Sequence, residues 1–181
     1  WGVMNVKNLA QGDFVIAGGY VAWWGAQQGM HPLLGVPAAF ILMWGLGWVV
    51  YKLLITRVIE RDLFSSLLAT FGLAIMMAQI MNLLFGSDTQ SINLGYETLY
   101  FADGLIDVPI AKLIGVCMAA GLAAGVITFM KYSRMGQAIR ATAQDSRAAR
   151  VMGSDTEKVY AFTFSLNSAI CGAAGAIIVM V

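Results

Sequence analysis

One histidine and two cysteines are all that this chain of 181 residues offers of the side chains most used for nucleophilic or metal chemistry. His31 stands in a turn ahead of Pro32, while Cys117 and Cys171 lie inside uncharged apolar runs and form no C-x-x-C pair. Those thiols read as small packing residues. A protease working within a membrane needs a serine with a histidine, or two aspartates, at one depth. No aspartate occurs in the apolar runs 33–51, 63–85, 113–130 or 159–181. No G-x-x-x-x-G-K-[ST] segment is present, so the chain does not itself cradle a nucleotide's phosphates. Proton-coupled carriers rely on intramembrane Asp, Glu or His, and runs 33–51, 63–85 and 159–181 have none. The residues therefore imply neither an enzyme nor a cofactor or metal. What they offer is the chemistry of binding and passage.

The elements that must position such residues are apolar helices. A bilayer core takes roughly 20 residues of helix, and five uncharged stretches, 14–30, 33–51, 63–85, 113–130 and 159–181, measure 17, 19, 23, 18 and 23 residues. Apolar residues make up 59% of the chain and charged residues 12%, about half the charged share of a soluble domain, which is roughly 25%. Lysine and arginine then divide by loop. Lys7 precedes the first stretch, Lys52, Arg57 and Arg61 follow the second, and Lys131, Arg134, Arg140, Arg147, Arg150 and Lys158 fill the link before the fifth. The other two links hold only Lys112. Basic loops stay on the cytoplasmic face, so 52–62 and 131–158 are inside. The net charge of +1, divided among alternate loops, is a topology signal and not a patch for nucleic acid. Single cysteines at Ser133 and Thr89, in a background lacking Cys117 and Cys171, are expected to label from opposite sides of an oriented membrane. Labelling of both from the outside would reverse this topology.

The fold class predicted is all-α, a polytopic transmembrane bundle with residues 1–181 as one domain. The chain opens on Trp1 and closes on the apolar run 177–181, which predicts an interior piece of a longer bundle. Small residues spaced i, i+4 mark helix faces that touch in lipid: Gly18, Ala22 and Ala26; Cys117, Gly121 and Gly125; Ser168, Gly172 and Ala176, with Gly175 beside them. Thr70, Gln79, Asn82, Asn167 and Ser168 are polar residues at membrane depth. Each either bonds a neighbouring helix or lines a water-filled path. The link 86–111 is acidic (Asp88, Glu97, Asp103, Asp107) and carries Tyr96, Tyr100 and Phe101, a length sufficient to fold over the outer mouth.

The most specific pattern lies in 131–158. From Met135 to Met152 the spacing predicts one amphipathic helix, with Ile139, Thr142, Ala143, Ser146 and Ala149 on its softer strip and Arg140, Gln144, Arg147 and Arg150 flanking it. Gly153 is placed to stop it in left-handed geometry. Ser154 and Glu157 have the spacing of a capping box that starts the fifth stretch. Such a helix on the inner face either holds anionic lipid through its arginines or docks into a groove on a cytoplasmic protein. The small residues Ala143, Ala148 and Ala149 favour docking, because lipid insertion calls for bulky apolar groups. Ala149 is then expected to face the partner, and Asp145 to cap, to pair with a nearby arginine, or to meet a basic residue of that partner. At the other end of the chain Asn8, Gln11, Gly12 and Asp13 cluster between apolar stretches. That cluster reads as a broken start to the first helix beside a substrate path, or as an interfacial cap with Asp13 near the helix N-terminus.

Two segments carry a family resemblance. Gly136-Gln137-Ala138-Ile139-Arg140-Ala141-Thr142-Ala143-Gln144-Asp145, followed by Ala149, Gly153 and residues 159–163, resembles the coupling loop of branched-chain amino acid ABC transporter permeases. Asn8-Leu9-Ala10-Gln11-Gly12-Asp13-Phe14, then Gly18-Gly19-Tyr20, is similar to that family's front segment, with Gln11 where histidine is usual and Gly19 where alanine is common. The resemblance implies the membrane half of an ATP-driven importer in a bacterial or archaeal inner membrane. Its partners would be two cytoplasmic ATPase subunits, a second related permease and a periplasmic binding protein delivering leucine, isoleucine or valine. It implies ATPase coupling at Ala143, Asp145, Ala149 and Gly153, and a substrate path near Asn8, Gln11, Gly12 and Asn167. The urea permeases of the same superfamily look similar at both motifs, so an importer of urea or short amides is the alternative. A passive channel has no use for a docking loop.

Overall fold

The computed structural model describes residues 8–58, 63–86, 92, 98–101 and 106–181. The expectations placed on Trp1, Lys7, Arg61, Asp88, Thr89, Tyr96, Glu97 and Asp103 lie outside those residues, as do the side chains of Tyr100, Phe101 and Asp107.

Each helix begins and ends for a local reason. Helix α1 (Gln11–Gln27) follows a turn at Asn8-Leu9-Ala10 and closes before Gly29, whose φ of +84° suits glycine. Helix α2 (Pro32–Leu53) starts with proline in its first turn, where no N–H is needed, and the His31 Nδ1 accepts from the Leu33 N–H at 3.4 Å. A 3-10 turn (Ile55–Arg57) continues it. Helix α3 (Leu63–Phe85) stops at Gly86, again at positive φ. An antiparallel hairpin, β1 (Thr98–Phe101) with β2 (Ile106–Pro109), occupies part of the outer link and leads into α4 (Ile110–Tyr132). The inner link holds α5 (Arg134–Gln144) and α6 (Ser146–Val151), and α7 (Thr156–Met180) ends the described chain.

The five apolar stretches are all helical. Among the described residues α2 with its 3-10 extension, α3, α4 and α7 are long and apolar enough to cross a membrane. Helix α1, with 17 residues, is about 26 Å long at 1.5 Å per residue. Among the described residues the hairpin is the one departure from all-helical structure, and it packs against the start of α4.

Helix α7 is the centre. It is buried along most of its length because its residues are small on several sides: Ser165, Ser168, Ala169, Gly172, Ala173, Gly175 and Ala176. Gly18 lies against the Gly172 backbone and Gly175 against the Val15 carbonyl, so α1 and α7 run parallel with their backbones touching. On another side Gly172 meets Met43 and Gly47 meets Ser165 and Ser168, which sets α2 antiparallel to α7. Apolar association supplies no driving force between helices in lipid, so this close approach is what holds them. Helix α3 adds Leu73 and Met77 to the cluster of Phe14, Met43, Tyr51 and Phe164, and its Phe85 stacks on Tyr20 at 4.5 Å.

The small-residue stripes of α1 and α7 thus pack as expected, whereas that of α4 does not. Cys117 is exposed, and a side chain added at Gly121 or Gly125 would meet nothing within 4 Å among the described residues. The polar residues Thr70 and Ser168 bond carbonyls one turn back in their own helices, Ser66 and Leu67 for the first and Phe164 for the second. A hydroxyl can reach the i−4 carbonyl without any partner helix.

Candidate functional site

The inner link is folded back onto the ends of α4 and α7. Ser133, in extended backbone, gives its N–H to Phe129 at the end of α4 and accepts the Gly136 N–H on its Oγ at 2.9 Å, starting α5. Gly136 is needed for that reversal, since a Cβ there would fall 2.7 Å from the Met130 Cα. The Arg140 guanidinium donates to the Met130 carbonyl, one of the carbonyls that the end of a helix leaves without a partner. Ile139 and Thr142 turn inward and are buried.

The single amphipathic helix expected over 135–152 is in fact two. Asp145 takes extended backbone between α5 and α6, and its Oδ1 accepts the N–H groups of Arg147 and Ala148 at 2.8 and 3.0 Å. A short carboxylate satisfies free helix N–H groups better than it propagates a helix. Asp145 is therefore a cap, the first of its three expected roles. Ala149 is also corrected. It is only 5% exposed and packs within its own link, so it does not face outward. Val151 and Met152, which the sequence reading passed over, are 86% and 85% exposed. Their signal was available: two bulky apolar residues directly before a stop glycine. Ala143 is exposed on α5.

Gly153 has φ +87°, as its position required, and the Ser154 N–H reaches back to the Ala149 carbonyl at 3.0 Å. Because Ser154 is used in that turn, the cap of α7 is Asp155 and not Ser154. The Asp155 Oδ1 accepts the Lys158 N–H at 3.2 Å, and the Lys158 ammonium sits 3.0 Å from the other oxygen. Arg150 closes the link by donating through Nε and Nη2 to the Oγ1 of Thr156, the buried first residue of α7, at 3.3 and 3.1 Å.

The N–H groups of Ala148 and Arg147 hold the Asp145 carboxyl below the usual carboxylate range, and the Lys158 side chain and N–H do the same for Asp155. A carboxylate whose folded pKa is depressed contributes stability above its unfolded value and loses it as pH falls through the folded one. The Arg147 and Ala148 amides are therefore expected to lose hydrogen-exchange protection below about pH 4. Asp145→Asn should keep that protection at low pH, because an amide oxygen caps without titrating. Equal acid sensitivity in both proteins would remove Asp145 from this role.

The second group is at the start of α1. The Gln11 Nε2 donates to the Asn167 Oδ1 at 3.4 Å. Asn8 accepts the Ala10 N–H at 3.1 Å, while its own Nδ2 is buried without a partner among the described residues. No side chain caps the first turn of α1. Gly12 is exposed, and a side chain added there would meet nothing within 4 Å among the described residues. The structure thus brings Gln11 to Asn167, leaves Asn8 one turn earlier and gives Gly12 open space. Asn167 lies about 16 Å along α7 from Thr156, at 1.5 Å per residue, so α1 starts well inside the length of its neighbour.

Comparison with known proteins finds relatives along nearly the whole chain. The high-affinity branched-chain amino acid transport system permease protein LivH of Escherichia coli is 25% identical over 195 aligned residues, covering 98% of this chain and 62% of that protein. The probable branched-chain amino acid transport permease protein LivH of Methanocaldococcus jannaschii is 27% identical over 180 residues, covering 96% and 57%. The LivH protein of Salmonella typhimurium is 24% identical over 195 residues, covering 98% and 62%. The chain thus spans less than two thirds of the length of these relatives. No solved structure matches it. The family model described as branched-chain amino acid transport system, permease component, matches residues 1–181, and the chain belongs to that family.

Proposed function

We propose that the chain forms part of the translocation path of an ATP-driven importer of branched-chain amino acids in a bacterial or archaeal inner membrane. In this reading it pairs with a second related permease, receives substrate from a periplasmic binding protein and takes energy from cytoplasmic ATPase subunits through residues 131–158. The observation that carries the reading is the folded inner link: its apolar pair Val151 and Met152 is turned outward, while its other side is fastened to the ends of α4 and α7. An apolar pair held rigidly beside arginines suits a groove on a protein better than a bilayer, where longer apolar faces insert.

The substrate path in this reading passes the start of α1. Polar side chains within the depth of a bundle bond inside protein or line a water-filled path, and Gln11, Asn167 and Asn8 are such groups. The test is uptake of labelled leucine against labelled urea by the complete complex in proteoliposomes, with and without ATP. ATP-dependent leucine uptake that falls with Asn167→Leu, at unchanged yield of assembled permease, is expected. Uptake of urea but not leucine would move the substrate class, and uptake without ATP would end the importer reading.

A further inference from the structure

Two of the six basic residues in the inner link, though exposed, reach back to the ends of membrane helices. Among the described residues neither Arg140 nor Arg150 has a carboxylate within 4 Å. Each donates instead to a neutral oxygen at the end of a membrane helix: Arg140 to the Met130 carbonyl in the last turn of α4, and Arg150 through two nitrogens to the Thr156 hydroxyl at the first residue of α7. The two acceptors differ in kind. Met130 offers a carbonyl at the negative end of the α4 dipole, where a guanidinium is favoured. Thr156 is buried, and its hydroxyl is fixed in place by the start of α7.

We infer that Arg140 and Arg150 are positioning residues that tie the docking pair Val151 and Met152 to α4 and α7, so that movement of the link at a cytoplasmic partner is passed to both helices. The inference rests on the coupling reading above. The geometry between the two arginines supports it. Asp145 caps α6, Ala149 is buried under it and Gly136 presses α5 against the Met130 backbone. The link therefore has internal structure of its own, and the two guanidinium contacts add defined polar bonds to the packing of α5 on the helices. Helix α7 in turn carries α1 and α2 through the glycine contacts at Gly172 and Gly175. A rigid link held at both ends moves the bundle, whereas a link released at one end absorbs the motion locally. Arg150 and Thr156 form a bond of identifiable partners, so they can be tested as a pair. A planar guanidinium reaching one hydroxyl with two nitrogens is not reproduced by an ammonium.

The experiment uses the complete complex in proteoliposomes, with three readouts: ATPase subunit retained on the purified permease, ATP hydrolysed, and leucine moved per ATP. Arg150→Ala, Thr156→Val, the double variant, Arg150→Lys, Arg140→Ala and Arg140→Lys are compared. Retention and hydrolysis should stay near those of the unsubstituted complex. Leucine per ATP should fall by about tenfold for Arg150→Ala and for Thr156→Val, the order expected for a lost hydrogen bond from a charged donor. The double variant should fall no further, since residues acting through one bond are not additive. Lysine should restore part of the ratio at each position. An unchanged ratio in both Arg150→Ala and Thr156→Val would overturn the inference. Loss of ATPase retention in Arg150→Ala but not in Thr156→Val would also overturn it, because the arginine would then be touching the partner directly. Failure of the coupling reading itself is seen separately: the unsubstituted complex would show no ATP-dependent uptake, and the inference would fall with it.

Discussion

Gly175→Leu is expected to leave almost no assembled permease. A side chain on Gly175 would overlap the Val15 carbonyl and lie 3.0 Å from the Gly19 nitrogen, and both are backbone atoms of α1. Overpacking costs about 1–3 kcal/mol where side chains can yield. Backbone cannot yield, so α1 must part from α7, and with it go the neighbouring contact of Gly18 on Gly172 and the cluster around Phe14 and Phe164. The measurement is the yield and melting temperature of monodisperse permease in detergent. Gly72→Ala is the matched control: nothing lies within 4 Å of that position, and it should be neutral or stabilising by up to about 1 kcal/mol. A Gly175→Leu protein with ordinary yield and melting temperature would show that the α1–α7 contact is not what holds the bundle.

Replacing Val151 and Met152 together with aspartate is expected to leave the permease assembled and to abolish its hold on the ATPase. Both side chains are almost wholly exposed, so the substitution removes little packing among the described residues. Burial of such side chains at an interface stabilises by about 1.5–3 kcal/mol each, which for the pair corresponds to a loss of affinity of about a hundredfold or more. Co-purification of the ATPase subunits and their stimulation by loaded binding protein are the readouts, beside permease yield. Ala149→Trp is the informative companion. Because Ala149 is buried in the link, this variant should disturb the fold of 145–154 and lower the yield or stability of the permease, where an outward-facing alanine would have affected docking alone. Full ATPase retention in the double aspartate variant would mean that this pair is not the docking element.

The sequence by itself determined the apolar helices, and it assigned each link an expected side of the membrane. Uncharged runs of bilayer length and the placement of lysine and arginine depend on solvation of each segment by water or lipid, which is local and additive along the chain. The stop at Gly153 was legible for the same reason: left-handed backbone is a property of one residue. The glycines of α1 and α7 were legible as packing faces, but which face meets which helix was not. The α4 stripe at Gly121 and Gly125 has the same spacing as theirs, yet meets nothing among the described residues.

Only the tertiary structure decided the inner link. Asp145 has the sequence of a helix interior and the structure of a cap, because its carboxylate gains more from two free N–H groups than from continuing α5. Ala149 was small enough for either side of a helix, and the break at Asp145 rotated it inward and left Val151 and Met152 outside. The meeting of Gln11 with Asn167 is likewise a matter of register, set by glycine contacts that let α1 slide close along α7 until its polar first turn lies beside that residue. Residue types fix what each side chain can bond. The helix pairing fixes which bonds come within reach, and it depends on atoms far apart in the chain.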